Sequence, residues 1–257
     1  MHRDWKHSVS EVWLLARQPY LTASEILGLI PEYKRIEKRK VKLFESPVFA
    51  RLYGEKQSLD VDPESRGPAA RGHVLEPYAV DEANRIIGKQ MFHWWDDRII
   101  TANPLGFSPD ALDMPPLGGT RIKVNGTSLM TKSKTVPGPT SMLEIKCYQA
   151  GKHFQCKLAA SNGKPLDERW QMACGMAVCP TITEGRLMFY APQCRDVFMK
   201  LYMRDDLDEE IKIVNEIAIM WSRFKGHMDS LPSQPPAKTE DQIYREYMMT
   251  ELVGISL

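Results

Sequence analysis

Apolar and polar positions follow two rhythms along this chain. Helical spacing comes first, over residues 8–30, which split into two segments. Val9, Val12, Trp13, Leu14 and Ala16 line a face of the first, and Ile26, Leu27 and Ile30 a face of the second. Thr22 or Ser24 supplies the cap between them. The same spacing predicts helices over 46–57, over 72–90 (Leu75, Ala79, Ala83, Ile86, Ile87), over 167–178 and over 207–227, with a short one at 239–252. Strand-like runs fall at 91–95, 98–102, 106–112, 142–147, 185–190 and 197–203, punctuated by Asn103-Pro104 and Gly106. Asn125-Gly126, between Arg121-Ile-Lys-Val and Thr-Ser-Leu-Met, predicts a hairpin. Residues 60–70 read as a loop and residues 230–238 as a Pro/Ser linker. The expected organisation is one domain over 1–229, with an N-terminal helical lip, followed by a linker and helical tail over 230–257.

Composition narrows the class without naming a function. The 257 residues are 43% hydrophobic and 26% charged, ordinary for a soluble globular protein. The net charge of +1 gives no overall sign of a polyanion binder, so local charge has to be examined. Residues 32–42 carry Lys34, Arg35, Lys38, Arg39, Lys40 and Lys42 against Glu32 and Glu37. A solvated helix face accounts for that run, and phosphate contact is the sharper alternative. Residues 114–142 contain no acidic residue yet hold Arg121, Lys123, Lys132 and Lys134. Five cysteines, an odd number, and a polar start at Met1 to Lys6 point to reduced thiols and a cytoplasmic location. No run approaches the ~18 apolar residues of a membrane span, so no membrane association is expected.

The chemistry concentrates in two short segments. Asp110 follows Ser108-Pro109 at the end of an extended run, and Glu144 lies in Leu143-Glu-Ile-Lys-Cys147. Strand geometry places Glu144 and Lys146 on one face and Ile145 on the other. An Asp beside a Glu-x-Lys strand suits a Mg²⁺-dependent phosphodiesterase, because Mg²⁺ takes a few carboxylate oxygens with waters and a substrate phosphate. A Glu-x-Lys is also common on solvated strands; the apolar neighbours Leu143 and Ile145 favour a half-buried one.

At this point the chain resembles the λ-exonuclease/YqaJ-like viral recombinases of the PD-(D/E)XK nuclease superfamily. Matches occur in family order from residue 13 to residue 178 of 257. Trp13…Arg17…Leu21-Thr-Ala-Ser24 resembles the opening motif, and Gly72-His-Val-Leu-Glu76 the helix with the first acidic residue. Ser108-Pro-Asp110 resembles Ser-Pro-Asp-Gly, Leu143-Glu-Ile-Lys-Cys147 the Glu-x-Lys strand, and Gln171 with Met176-Ala-Val178 the glutamine helix. Tyr202-Met-Arg-Asp205 is a further, weaker match. Ala111 stands where the family has glycine, and residues 114–142 exceed the expected core hairpin. The resemblance implies a restriction-endonuclease-like α/β core: a central mixed sheet from 91–113, 142–147, 185–192 and 197–203, flanked by helices 72–90 and 148–178. It implies a metal-dependent 5′→3′ exonuclease that leaves a 3′ single-stranded tail. Mg²⁺, with Mn²⁺ able to substitute, would be held by Asp110, Glu144 and the carbonyl of Ile145. Glu76, Lys146 and Gln171 would complete the catalytic group, and Arg17 and Ser24 would bind the 5′-phosphate. It implies, too, double-stranded DNA ends as substrate, a single-strand annealing protein as partner, a homotrimer, and phage-type recombination in a bacterial host cytoplasm.

Other readings compete at several positions. An endonuclease or RecB-like nuclease would use the same core, and a decayed site would leave a DNA-binding module. His73 and His93 are expected to be ordinary rather than ligands. Of Trp94 and Trp95, adjacent on a strand, at least one should be core. The cysteine spacing does not suit an iron–sulfur cluster, and Cys147 and Cys174 read as buried thiols.

Overall fold

The computed structural model describes residues 11–57, 68–96 and 98–232. The expectations for Met1 to Lys6, Val9, most of the 60–70 loop, most of the 230–238 linker and the helix at 239–252 lie outside them. The chain divides into two compact units, Met1–Phe224 and Lys225–Leu257. The elements in order are α1 (Glu11–Arg17), β1 (Leu21–Thr22), α2 (Ala23–Glu37), α3 (Pro47–Gln57), α4 (Pro68–Ile87), β2 (His93–Trp94), β3 (Ile99–Ala102), β4 (Leu105–Phe107), β5 (Ala111–Leu112), β6 (Arg121–Asn125), β7 (Ser128–Met130), β8 (Thr135–Pro137), β9 (Ser141–Lys146), α5 (Ala150–Ser161), α6 (Arg169–Val178), β10 (Glu184–Ala191), β11 (Asp196–Met203) and α7 (Asp208–Ser230).

The α/β class is as expected, but the sheet arrangement corrects the single central sheet. Two mixed sheets form, ordered β1-β4-β3-β6-β7-β8 and β11-β10-β9-β5-β2. Residues 99–107 leave the sheet assigned to them because Ile99 to Thr101 pair in parallel with Arg121 to Lys123. The chain crosses from one sheet to the other between Phe107 and Ala111, and Asp110 sits at that crossing. Residues 148–178 hold α6, where the spacing predicted a helix over 167–178, and a second helix, α5, which it did not.

Helix α2 starts at a capping box. Thr22 is the N-cap, and the Glu25 carboxylate accepts its backbone N–H at 2.7 Å. The apolar spacing marks this helix as far as Ile30, and the basic run that follows reads as a solvated helix face; α2 passes Pro31 and runs to Glu37, so the apolar face and the start of the basic run belong to one helix. Proline inside a helix removes a hydrogen bond and costs roughly 3 kcal/mol. Burial of Tyr33 and Glu32 just beyond it offsets that loss: Glu32 accepts from Ser46 Oγ at 2.6 Å and Arg35 at 2.8 Å. Helix α4 packs Ala79, Val80 and Ala83 against Leu143, Ile145 and Met188. Asn84 fixes its end to the next strand, donating to Phe92 O and accepting from the N–H groups of Met91 and Phe92.

Strand β9 is buried along its whole length apart from its last residue. The half-buried alternation expected there is absent because β9 is the central strand of its sheet, between β10 and β5. Ala111 is buried and its φ is not positive, so the extended backbone accepts alanine there. Trp95 is core and donates its indole N–H to Met114 O, while Trp94 is half-buried. The hairpin loop is Gly126-Thr127, one residue later than expected; Gly126 takes φ 58°, which frees Asn125 to pair with Ser128.

Candidate active site

Strand β9 builds the site. Ile145 turns toward α4 and the core, so Glu144 and Lys146 point to the opposite side of the sheet. Glu144 is 4% exposed, and the Lys146 ammonium donates to its Oε1 at 2.7 Å. Asp110 arrives from the neighbouring crossing, where the Ala111–Leu143 pair sets its register. Its Oδ2 accepts the backbone N–H of Ile145 at 2.6 Å, between Glu144 and Lys146 in the chain. Its backbone carbonyl accepts from Trp95 at 2.9 Å, fixing the turn from the other side.

The electrostatics are those of crowded carboxylates. Burial pushes the Asp110 carboxyl well above its usual range, and the charges of Glu144 and Glu76 push it further. Lys146 and the Ile145 N–H act the other way and do not cancel this. For Lys146, burial is the largest influence and favours the neutral amine, but Glu144, Asp110 and Glu168 outweigh it and hold the ammonium protonated. Three carboxylates from different elements therefore face one nearby lysine. Two residues before Asp110, Ser108 Oγ is buried and has no hydrogen-bond partner among the described residues.

Helix α6 borders the Glu144 side. Cys174 on that helix is buried, and its thiol is pushed up to about 12 by burial and then by Glu144 and Glu25. One thiol thus lies close to both the strand carboxylate and the first turn of α2. Gln171 is half-buried one turn before Cys174, and its backbone N–H bonds Glu168 O at 3.0 Å. Ser24 is exposed in the first turn of α2, with its Oγ 3.4 Å from Thr22 Oγ1. Arg17 ends α1, its guanidinium 4.2 Å from the ring centre of Trp13. Trp13 meets His73 edge-on at 6.4 Å, and His73 Nδ1 is 3.4 Å from Glu76 Oε2. A run of contacts therefore joins Arg17 to the acidic group through Trp13, His73 and Glu76. His73 serves as a neighbour of Glu76 in this arrangement.

Two residues at the site escaped the sequence reading. Tyr148 continues the alternation of Glu144 and Lys146, and its hydroxyl donates to Glu168 Oε1 at 2.7 Å. Glu168, 8% exposed, is the N-cap residue of α6 and lies three positions before Gln171. The period-two spacing was the available signal for Tyr148; nothing local marks Glu168. Arg204, in the weaker motif, is structural: it donates to the carbonyls of Met176 and Ile182.

This architecture defines a nuclease-type α/β fold. The chain is similar to an alkaline exonuclease from Laribacter hongkongensis, at TM-score 0.54 and 20% identity over 86% of this chain and 96% of that one. The same exonuclease in complex with dAMP gives TM-score 0.53 and 20% identity, covering 95% and 100%. A phage-related exonuclease from Haemophilus somnus 129PT aligns at TM-score 0.47 and 14% identity, covering 74% and 89%. No family model and no curated protein matches the sequence. The chain shares the fold of the Laribacter exonuclease, which is the fold the resemblance implied. Among the described residues no helix is long and apolar enough to cross a membrane.

Proposed function

We propose that the protein is a Mg²⁺-dependent exonuclease that digests one strand of linear double-stranded DNA from its 5′ end. The observation that carries this reading is the junction of Asp110 and Glu144-Ile-Lys146, locked by the 2.6 Å and 2.7 Å bonds. Among the described residues no three His, Cys, Asp or Glu side chains form a ready cage. Mg²⁺ does not need one, since it keeps several waters and binds through one or two carboxylates. The group fits such an ion: its carboxylates outnumber the nearby ammonium, and Ser108 Oγ is a buried polar atom unpartnered among the described residues. Asp110, Glu144 and the Ile145 carbonyl would hold the ion, with Glu76 beside them. When bound, Mg²⁺ supplies a lowered pKa for water and offsets charge on the transferring phosphate.

The chain's own residues do the rest. The protonated Lys146 donates hydrogen bonds, which suits orienting an attacking water or stabilising a phosphate oxygen. Gln171 positions that water or a neighbouring phosphate. Arg17 and Ser24, with the first-turn N–H groups of α2 that the capping box does not use, bind the terminal 5′-phosphate. A 3′ single-stranded tail, phage-type recombination in a bacterial cytoplasm, a single-strand annealing partner and a homotrimer complete the proposal; their support is the sequence resemblance.

Linear duplexes labelled at one 5′ or one 3′ end test it, beside a closed circle. The account expects early release of the 5′ label, late release of the 3′ label and an intact circle. Cutting of the circle, or release that starts from 3′ ends, would replace the exonuclease reading with that of an endonuclease or an opposite polarity.

A further inference from the structure

The segment between Met114 and Leu143 has no carboxylate and plays no part in the site just described. It folds as β6-β7-β8, three antiparallel strands joined to the first sheet through the parallel β3–β6 pair. Its inner side buries Ile122 and Leu129, with Val124 and Val136 half-buried. The alternate positions carry Arg121 and Lys123, both exposed. The β7–β8 turn returns at the Arg121 end of β6, because Lys123 lies opposite Met130 and Met130 opposite Thr135. That turn presents exposed Lys132 and Lys134 on a backbone fixed by Thr131, whose N–H bonds Lys134 O at 2.8 Å and whose hydroxyl accepts from Lys134 N at 3.1 Å. Four cations are thus held together on an ordered layer.

None of the four forms an ion pair among the described residues. Some exposed cations elsewhere do, as in Lys42–Glu45, Arg51–Glu55 and Arg85–Glu82, and others, such as Lys38, Lys40 and Lys89, do not; the four here differ in lying on a segment without a single carboxylate. Clustered charge without internal neutralisation calls for an anionic partner. We propose that this layer is a docking platform for the phosphate backbone of duplex DNA. The segment contains no Phe, Tyr or Trp, so it lacks the rings on which unpaired bases stack. It also shows no large exposed apolar side chain of the kind that would enter a lipid surface. Exposed cations on an ordered backbone, with no reading element, match a sequence-independent backbone contact.

The sheet also relates the platform to the proposed end site, and this part rests on the exonuclease reading. Lys123 pairs with Thr101, Thr101 with Gly106 and Gly106 with Thr22, so Lys123 and the cap of α2 share one sheet face. Strands lie ~4.8 Å apart, so β6 is roughly 14 Å from β1 and β8 roughly 24 Å. At ~3.4 Å per base pair, the platform would meet phosphates about four to seven pairs from an end held at Ser24.

The test is anisotropy binding of a 24-pair duplex and of oligo-dT in EDTA, across a salt series. It compares the wild-type protein with R121Q/K123Q/K132Q/K134Q and with K132Q/K134Q alone. Each phosphate contact contributes a log–log salt slope of ~0.9, so the fourfold variant should be shallower by up to about 3.6 and the double by up to about 1.8. Oligo-dT binding should change far less, and thermal midpoints should match the wild type. An unchanged duplex slope overturns the platform while leaving the exonuclease reading untouched. Equal losses on oligo-dT overturn the assignment to duplex. A wild-type protein that cleaves but shows no salt-dependent duplex binding also overturns the platform, and one that neither binds nor cleaves overturns both.

Discussion

Replacing Lys146 by methionine tests the buried pair at the heart of the site. The Glu144 and Lys146 side chains are 6% and 17% exposed, and their 2.7 Å bond is out of bulk water. Methionine keeps the stem length and removes the charge, leaving the Glu144 carboxylate without its direct counter-charge. Breaking a buried pair from one side costs roughly 3–5 kcal/mol, far above the 0–1 kcal/mol of a surface pair. In a unit of this size each kcal/mol moves Tm by roughly 2–4 °C, so K146M in EDTA should melt about 6–20 °C lower. Glu144→Gln in the same chain removes the need for a counter-charge. E144Q/K146M should therefore recover part of the loss, giving a coupling of at least ~1 kcal/mol in a double-mutant cycle. Urea unfolding of the four proteins in EDTA measures it. Additive losses, within about 0.5 kcal/mol, would show that the two side chains do not depend on each other and would refute the reasoning.

Asp110 gives a pH prediction with a definite sign. Its raised pKa means the folded, metal-free protein holds a proton that the unfolded chain releases near pH ~4. Stability in EDTA should fall as pH rises from there through the folded-state value, and D110N should lose that component of the slope; a D110N profile parallel to the wild type would contradict it. Arg17→Ala should erase most of the preference for 5′-phosphorylated over 5′-hydroxyl ends while cutting hydroxyl-end activity far less, and equal losses on both would make Arg17 structural. A Cβ at Gly106 would stand 2.7 Å from Ile99 Cδ1 and 2.8 Å from Tyr20 Cβ, so G106A should destabilise by roughly 1–3 kcal/mol in thermal unfolding. Wild-type stability for G106A would mean that the β1–β4 junction relaxes freely.

The sequence carried the local parts of this account. Period-two spacing put Glu144 and Lys146 on one side of β9, and the Ser-Pro-Asp bend put Asp110 where the chain changes direction. What it did not carry depends on pairing across distance. The parallel match of Ile99 to Arg121 that divides the strands into two sheets leaves no mark in either segment, because each reads simply as a strand. Glu168 meets Tyr148 only because α6 folds back over β9, a contact spanning twenty positions. The continuation of α2 past Pro31 is set by the burial of Glu32 against Ser46, which overrides the local break.

The central claim is that Asp110 and Glu144 hold the metal on which cleavage depends. Its most direct test is hydrolysis of a linear 5′-phosphorylated duplex across a Mg²⁺ titration, for the wild type, Asp110→Ala and Glu144→Ala. The account predicts wild-type cleavage that rises with Mg²⁺ and vanishes in EDTA, and two folded variants inactive at every concentration. Cleavage by the wild type in EDTA, or near wild-type rates in either variant, would contradict it.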